Sequence, residues 1–219
     1  MIKAVVFDMD GVLFDTERLA RESLVEAIKA SGLPIPMELT YRILGMNAAA
    51  VRQAFMETMG PDFEYDKFMS FSHGYHVRAI EREGIPEKPG LHEVLEYLKA
   101  NGYPIALATS TNRDGARRNL ERTGVLGYFD HLVCGDMIEH SKPDPEIYLK
   151  AAALLETRPE ECLAVEDSPN GIRSAFAGGL KTVMIPDLIP LSDELRPMLF
   201  SVEDSLLGLI RLLEQDKKQ

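Results

Sequence analysis

The chain has 219 residues, 24 Lys and Arg against 35 Asp and Glu, a net charge of −11 and 45% hydrophobic residues. Its length exceeds one average domain and falls short of two, which suits a domain carrying a smaller insert, and its apolar fraction suits a packed core. The acidic balance argues against a nucleic-acid binder, and no apolar stretch approaches the ~18 residues of a membrane span. An anionic substrate stays compatible, because a metal ion and one or two cationic side chains reverse the local field. Cys134 and Cys162 sit in apolar segments and read as reduced core thiols of an intracellular, cytoplasmic protein. The start MIKAVVFD has no apolar leader region.

Taken in chain order, IKAVVF (2–7) reads as a strand that runs straight into Asp8 and Asp10. Residues 16 to about 88 then read as helices: TERLARESLVEAIKAS, PMELTYRILG, AAAVRQAFMETMG and DKFMSFSHGYHVRAIERE, separated by turns such as GLPIP and GPD. After them GLHEVLEYLKAN (90–101) carries Leu91, Val94, Leu95 and Leu98 at helical spacing, with Gly102 as its stop. Further strands are expected at PIALATS (104–110), HLVCGD (131–136), CLAVEDS (162–168) and KTVMIPD (181–187). Helices are expected at 145–155 and 169–178, the second with Ser168 as N-cap and Pro169 at its first position. The tail EQDKKQ is expected to fray.

Strands alternating with helices indicate an α/β fold with a Rossmann-like, mostly parallel sheet and helices on both faces. The all-helical segment is expected as an insert over 16–88, with the α/β core formed by 1–15 and 89–219 and hinges near Phe14–Thr16 and Pro86–Gly90. Ligands of such sheets bind beyond the carboxyl ends of the strands. Those ends carry Asp8, Thr109–Ser110, Asp136 and Glu166–Asp167, with Lys142 just after the third strand.

Asp8 and Asp10 lie two apart on an extended chain, so both carboxylates can reach one place, and Gly11 permits a sharp turn after them. Two close carboxylates repel, so one must be protonated or a cation must lie between them. A β-turn with Asp as a helix cap is the alternative; a calcium EF-hand loop fails, because its sixth position here is Leu13. Asp167 ends its strand as Asp8 does, and three oxygen-only ligands would suit Mg²⁺. Alone, Asp167 would read as a helix cap. Thr109, Ser110, Thr111 and Asn112 offer hydroxyls and N–H groups to phosphate oxygens, or serve as an ordinary helix entry. Lys142 lies in HSKPDPE, whose prolines stiffen the backbone, and is either a fixed positive charge or an exposed loop lysine. His73 and His76 are at i, i+3 with no third ligand nearby and read as core or surface residues. No nucleotide-binding glycine loop and no G-x-S-x-G elbow is present.

DMDGV (8–12), LATST (107–111), SKPDPE (141–146) and VEDSPNG (165–171), in this order, resemble the haloacid dehalogenase superfamily across nearly the whole chain. The helical insert resembles the cap of its β-phosphoglucomutase-like and sugar-phosphate phosphatase subfamily. The resemblance implies that Asp8 is the nucleophile and Asp10 the general acid and base, whose backbone carbonyl also touches Mg²⁺. Thr109 and Lys142 would bind the phosphoryl group, and Asp167, supported by Glu166, would complete the metal shell. It implies an Mg²⁺-dependent phosphatase acting on a small phosphate ester such as a sugar or polyol phosphate; a monomer is the default expectation. The alternative is a phosphosugar mutase. Mutases of that subfamily carry a histidine where this chain has Ala20 and an arginine where it has Ala48, after the loop glycine Gly45. Arg52 and Arg78 are left as cap cations that could meet substrate.

Overall fold

The computed structural model describes residues 1–218 apart from Gly45 and Asn47, and of Ala48 the backbone alone. The chain divides into two compact units, Met1–Asp15 with Glu87–Gln219, and Thr16–Pro86.

The first unit is built on a six-stranded parallel sheet in the order β3-β2-β1-β4-β5-β6. Its strands are β1 (Ala4–Phe7), β2 (Ile105–Thr109), β3 (His131–Cys134), β4 (Cys162–Glu166), β5 (Lys181–Met184) and β6 (Ser201–Val202). β1, β2 and β4 are buried at every residue, which is why they read as unbroken apolar runs: both faces are covered. Val5 stands level with Ile105 on one side and Leu163 on the other. On one face Ala4, Val6, Ala106, Ala108 and Ala164 meet Ile147, Tyr148, Ala151 and Ala152 of α7 (Glu146–Leu154), with Ala175 of α8 (Pro169–Ala177). The small alanines let the helices approach closely, while the alternate residues Val5, Phe7, Ile105 and Leu107 point to the opposite face. α5 (Leu91–Ala100) buries Leu91, Val94, Leu95 and Leu98, packs on α9 (Leu206–Asp216) and stops before Gly102 at φ +69°.

β6 and α6 (Arg113–Arg122) are absent from the sequence reading. β6 has two residues, too few for a pattern, and joins through Phe200 N–H to Thr182 O at 2.7 Å. α6 buries only Gly115, Ala116 and Leu120, so it shows almost no apolar period. The tail differs from expectation. Its first residues, Glu214–Asp216, complete α9, and Ile2 N–H donates to the Asp216 carboxylate. Lys217 reaches Asn101 Oδ1 at 2.9 Å.

The second unit holds α1 (Thr16–Ser31), α2 (Leu39–Arg42), α3 (Ala48–Met59) and α4 (Tyr65–Glu83). Its own core joins Leu24, Ala27, Ile28, Ile35 and Leu39 to a cluster of rings from Phe55, Phe63, Tyr65 and Phe68. PMELTYRILG forms a helix only over Leu39–Arg42, with Pro36 accepting from Leu39 N–H in the turn before it. No described helix is long and apolar enough to cross a membrane.

Candidate active site

The strand order reverses beside β1: the chain runs to β2 and β3 on one side, then returns to β4 on the other. Open α/β sheets bind ligands at such a switch point. Asp8 follows β1 there, its N–H donating to Val165 O at 3.0 Å, and Glu166 and Asp167 end β4 beside it.

Lys142 is brought in from the loop before α7, and its side chain is buried. Nζ donates to Asp8 Oδ1 at 2.6 Å, Glu166 Oε1 at 2.7 Å and Ala108 O at 3.0 Å, and Tyr148 Oη lies 3.3 Å away. Tyr148 Oη donates to Glu166 Oε1 at 2.6 Å. The other Glu166 oxygen accepts from the N–H groups of Asp167 and Ser168 and from Ser168 Oγ, at 3.1–3.2 Å. Glu166 is 0% exposed with both oxygens engaged, so it is a support for Lys142. Tyr148 escaped the sequence reading. It lies on the apolar face of α7, where an aromatic signals core, and only its hydroxyl partners reveal a polar task.

VEDSPNG explains itself locally. Ser168 caps α8 by accepting from Gly171 N–H at 3.1 Å, and Pro169 holds the first helical position. Gly171 has no side chain because a Cβ there would lie 1.8 Å from Glu166 Oε1. Gly171→Ala is therefore expected to push Glu166 off Lys142 and to lower stability by about 1–3 kcal/mol, the usual range for overpacking. Thermal unfolding beside turnover checks this; unchanged values in both reject the tight fit. Gly11, at φ +87°, is likewise closed to other residues: its Cβ would lie 2.2 Å from Asp167 Oδ2.

The turn after β2 is more differentiated than the sequence suggests. Thr109 is buried and its Oγ1 accepts from Thr111 N–H at 3.1 Å. Thr111 Oγ1 donates to Asp10 Oδ2 at 2.8 Å, which aims that carboxylate. Ser110 is exposed. Asn112, expected among phosphate contacts through N–H donors, is also the N-cap of α6: its Oδ1 accepts from Gly115 N–H at 2.9 Å. Asp136 does related work, accepting from Arg113 N–H at 2.9 Å.

Asp8, Glu166 and Asp167 each offer a carboxylate oxygen within 4.8 Å of the others, all buried. The Asp10 carboxylate accepts from Thr111 and is outside this side-chain group, which leaves its expected contact through the backbone carbonyl untouched. An oxygen-only set of this kind fits a hard divalent cation. Charge points the same way, since three buried carboxylates exceed the single Lys142 ammonium by two.

The imbalance bears on protonation. Burial pushes the Asp8 carboxyl up to about 8 despite Lys142 beside it, with Glu166 and Asp10 adding to the rise. Burial also opposes charge on Lys142, yet Asp8 and Glu166 hold it above the ordinary lysine range. Glu166 is held below the ordinary range by Lys142, Tyr148 and Ser168, against burial. Folding in the absence of divalent metal thus makes Asp8 take up a proton between its ordinary value of 3.8 and about 8. Its contribution is fully present below the lower value and is lost as pH rises through the upper, at a slope of at most about 1.4 kcal/mol per pH unit. Thermal unfolding in chelator from pH 5 to 8 is expected to show wild type losing stability relative to Asp8→Asn. A constant difference would contradict the raised value.

In the helical unit Arg52 is committed. It holds Asp66 through three contacts of 2.6–3.1 Å and lies 4.8 Å over the Tyr65 ring. Arg78 lies 4.5 Å over Tyr75. The His73 and His76 rings are 6.3 Å apart and belong to no metal-ready group among the described residues. Gly45 lies outside the described residues, and the same holds for the Ala48 side chain. A cavity of 310 Å³ in this unit is lined by Ala20, Arg21, Thr40, Ser72 and His73 among others. Cys134 and Cys162 are buried free thiols, each pushed up to about 11 by burial.

A family model described as haloacid dehalogenase-like hydrolase matches residues 2–179. The chain is 36% identical over 182 residues to a phosphorylated carbohydrates phosphatase of Thermotoga maritima, covering 83% of this chain and 84% of that one. It is 32% identical over 203 residues to hexitol phosphatase A of Escherichia coli, covering 92% of each. Among solved structures, a β-phosphoglucomutase of Clostridium difficile shares the fold at a TM-score of 0.77, with 24% identity over 99% of this chain and 97% of that one.

Proposed function

We propose, from the premise that the chain belongs to the haloacid dehalogenase-like hydrolases and is a phosphatase, that it hydrolyses a sugar or polyol phosphate with Mg²⁺ through an aspartyl-phosphate on Asp8. The observation that carries the reading is the enclosed group of Asp8, Lys142, Glu166 and Asp167 at the β1–β4 switch point. Lys142 keeps one Asp8 oxygen oriented, as a nucleophile requires.

In the first step an Asp8 oxygen forms a bond to phosphorus while the ester P–O bond breaks. Asp10, aimed by Thr111, gives its proton to the departing alkoxide. Asp10 then takes a proton from water, whose oxygen attacks phosphorus and frees Asp8 as a carboxylate with release of phosphate. Thr109 and Ser110 would present hydroxyl and N–H groups to the phosphoryl oxygens, with Lys142 alongside, while the Thr111 donors stay with Thr109 Oγ1 and Asp10. Asp8, Asp167 and the Asp10 carbonyl would hold Mg²⁺, whose chemistry is to neutralise charge between a carboxylate and a phosphate that otherwise repel. We assign Thr16–Pro86 as the cap domain.

The mutase reading stands second. It draws on the shared fold of a mutase, while Ala20, exposed on α1, has no group to carry a proton. Phosphate release across phosphosugars and polyol phosphates with Mg²⁺ tests the proposal. Turnover of none of them would sink it, and interconversion of two phosphosugar isomers dependent on a bisphosphate would reverse the order.

A further inference from the structure

The inserted unit is joined to the sheet by two chain segments, and a nearly buried ion group ties them together. Lys88 Nζ lies 2.5 Å from Asp187 Oδ1, just after β5, and 3.6 Å from Asp15 Oδ1. The three side chains are 16%, 10% and 20% exposed. Asp187 Oδ2 is buried without a hydrogen-bond partner. Such a group is expensive to desolvate, and where it is retained its use is to fix geometry more than to add stability.

The geometry it fixes leads to Asp10. Lys88 N–H donates to Leu13 O at 2.9 Å, and Glu87 bridges Phe14 in antiparallel fashion. Phe14 in turn bridges Asp10, and its carbonyl accepts from Gly11 N–H at 2.8 Å. The returning segment therefore lies on the outgoing one, and the outgoing one folds back on Asp10. Phe14 is 0% exposed, so this link is packed as well as hydrogen-bonded.

We propose that Lys88 is a positioning residue for Asp10: held between Asp15 and Asp187, it pins the paired segments and through Phe14 sets the Asp10 backbone for proton delivery to the leaving alkoxide. The inference rests on the reading of Asp10 as general acid. That role makes the test specific, because proton delivery matters for an alkoxide and little for an activated leaving group. The value of kcat/KM covers the steps from free enzyme and substrate through the first irreversible one, so hydrolysis of the aspartyl-phosphate does not enter it.

The test compares kcat/KM for a hexitol phosphate with that for p-nitrophenyl phosphate in wild type, Lys88→Met, Lys88→Arg, Asp187→Asn and, as reference, Asp10→Asn. Lys88→Met is expected to lose about tenfold or more on the hexitol phosphate, a fraction of the 10²–10⁴ that general acids supply, and no more than about threefold on the activated ester. Asp187→Asn is expected to show the same selective loss to a smaller degree, and Lys88→Arg to recover part of it. Equal losses on both esters, or no loss on either, would overturn the proposal. If Lys88→Met fails to fold, the selective loss in Asp187→Asn decides alone. A wild type that hydrolyses neither ester would defeat the phosphatase reading itself, and an Asp10→Asn variant without leaving-group selectivity would defeat the acid role. Both outcomes remove the ground of the proposal and differ from a failure at Lys88 only.

Discussion

Replacing Asp8 by Asn is expected to reduce phosphate release from every ester by about 10³-fold or more, because the nucleophile is lost while its shape is kept. The protein should remain folded. Asn keeps an acceptor oxygen for Lys142 Nζ, which lies 2.6 Å from Asp8 Oδ1 in the native site, and it removes one of three crowded carboxylates. The pairing of lost turnover with retained or raised thermal stability is the informative result. Unchanged turnover would place the activity elsewhere in the chain.

Lys142→Met is the variant in which stability should suffer most. It removes the ammonium and leaves Asp8 and Glu166 facing each other in a buried site, with Ala108 O and Tyr148 Oη deprived of the same partner. Breaking a buried ion pair from one side typically costs about 3–5 kcal/mol. A second substitution, Glu166→Gln, is expected to return part of that stability by removing a charge, without returning activity. Denaturant unfolding of the single and double variants, with turnover measured beside it, checks both halves. Should the double variant be no more stable than Lys142→Met alone, unpaired charge is not the source of the loss. Arg is not expected to substitute, since a site holding a side chain only 6% exposed has no room for a guanidinium.

The conversion of sequence into site was uneven for identifiable reasons. Asp8, Lys142 and Asp167 stand out because carboxylates and an ammonium at the ends of apolar runs conflict with burial unless they meet one another. The strands β1, β2 and β4 were equally open to reading, since continuous apolar residues have one economical place in a parallel sheet. Side-chain direction was a different matter. Spacing alone made Asp10 look like a partner of Asp8 in a metal shell, and it took the Thr111 hydroxyl to show its carboxylate turned toward the β2 loop. Asn112 has the chemistry of a phosphate contact, and only the structure shows that its Oδ1 also caps a helix.

What the sequence by itself determined is the order of β1 to β5 with the helices of clear apolar period, and the charged residues that the strand ends carry, because both follow from local hydrophobic period and from the cost of burying charge. Only the tertiary structure decided which of those residues touch. Tyr148 and Lys142 are six positions apart, yet their meeting with Glu166 depends on how α7 lies on the sheet. Lys88 and Asp187 are separated by 99 positions and meet because the segment after β5 passes the paired linkers. Such contacts are set by the packing of whole elements, and no local pattern in the chain records them.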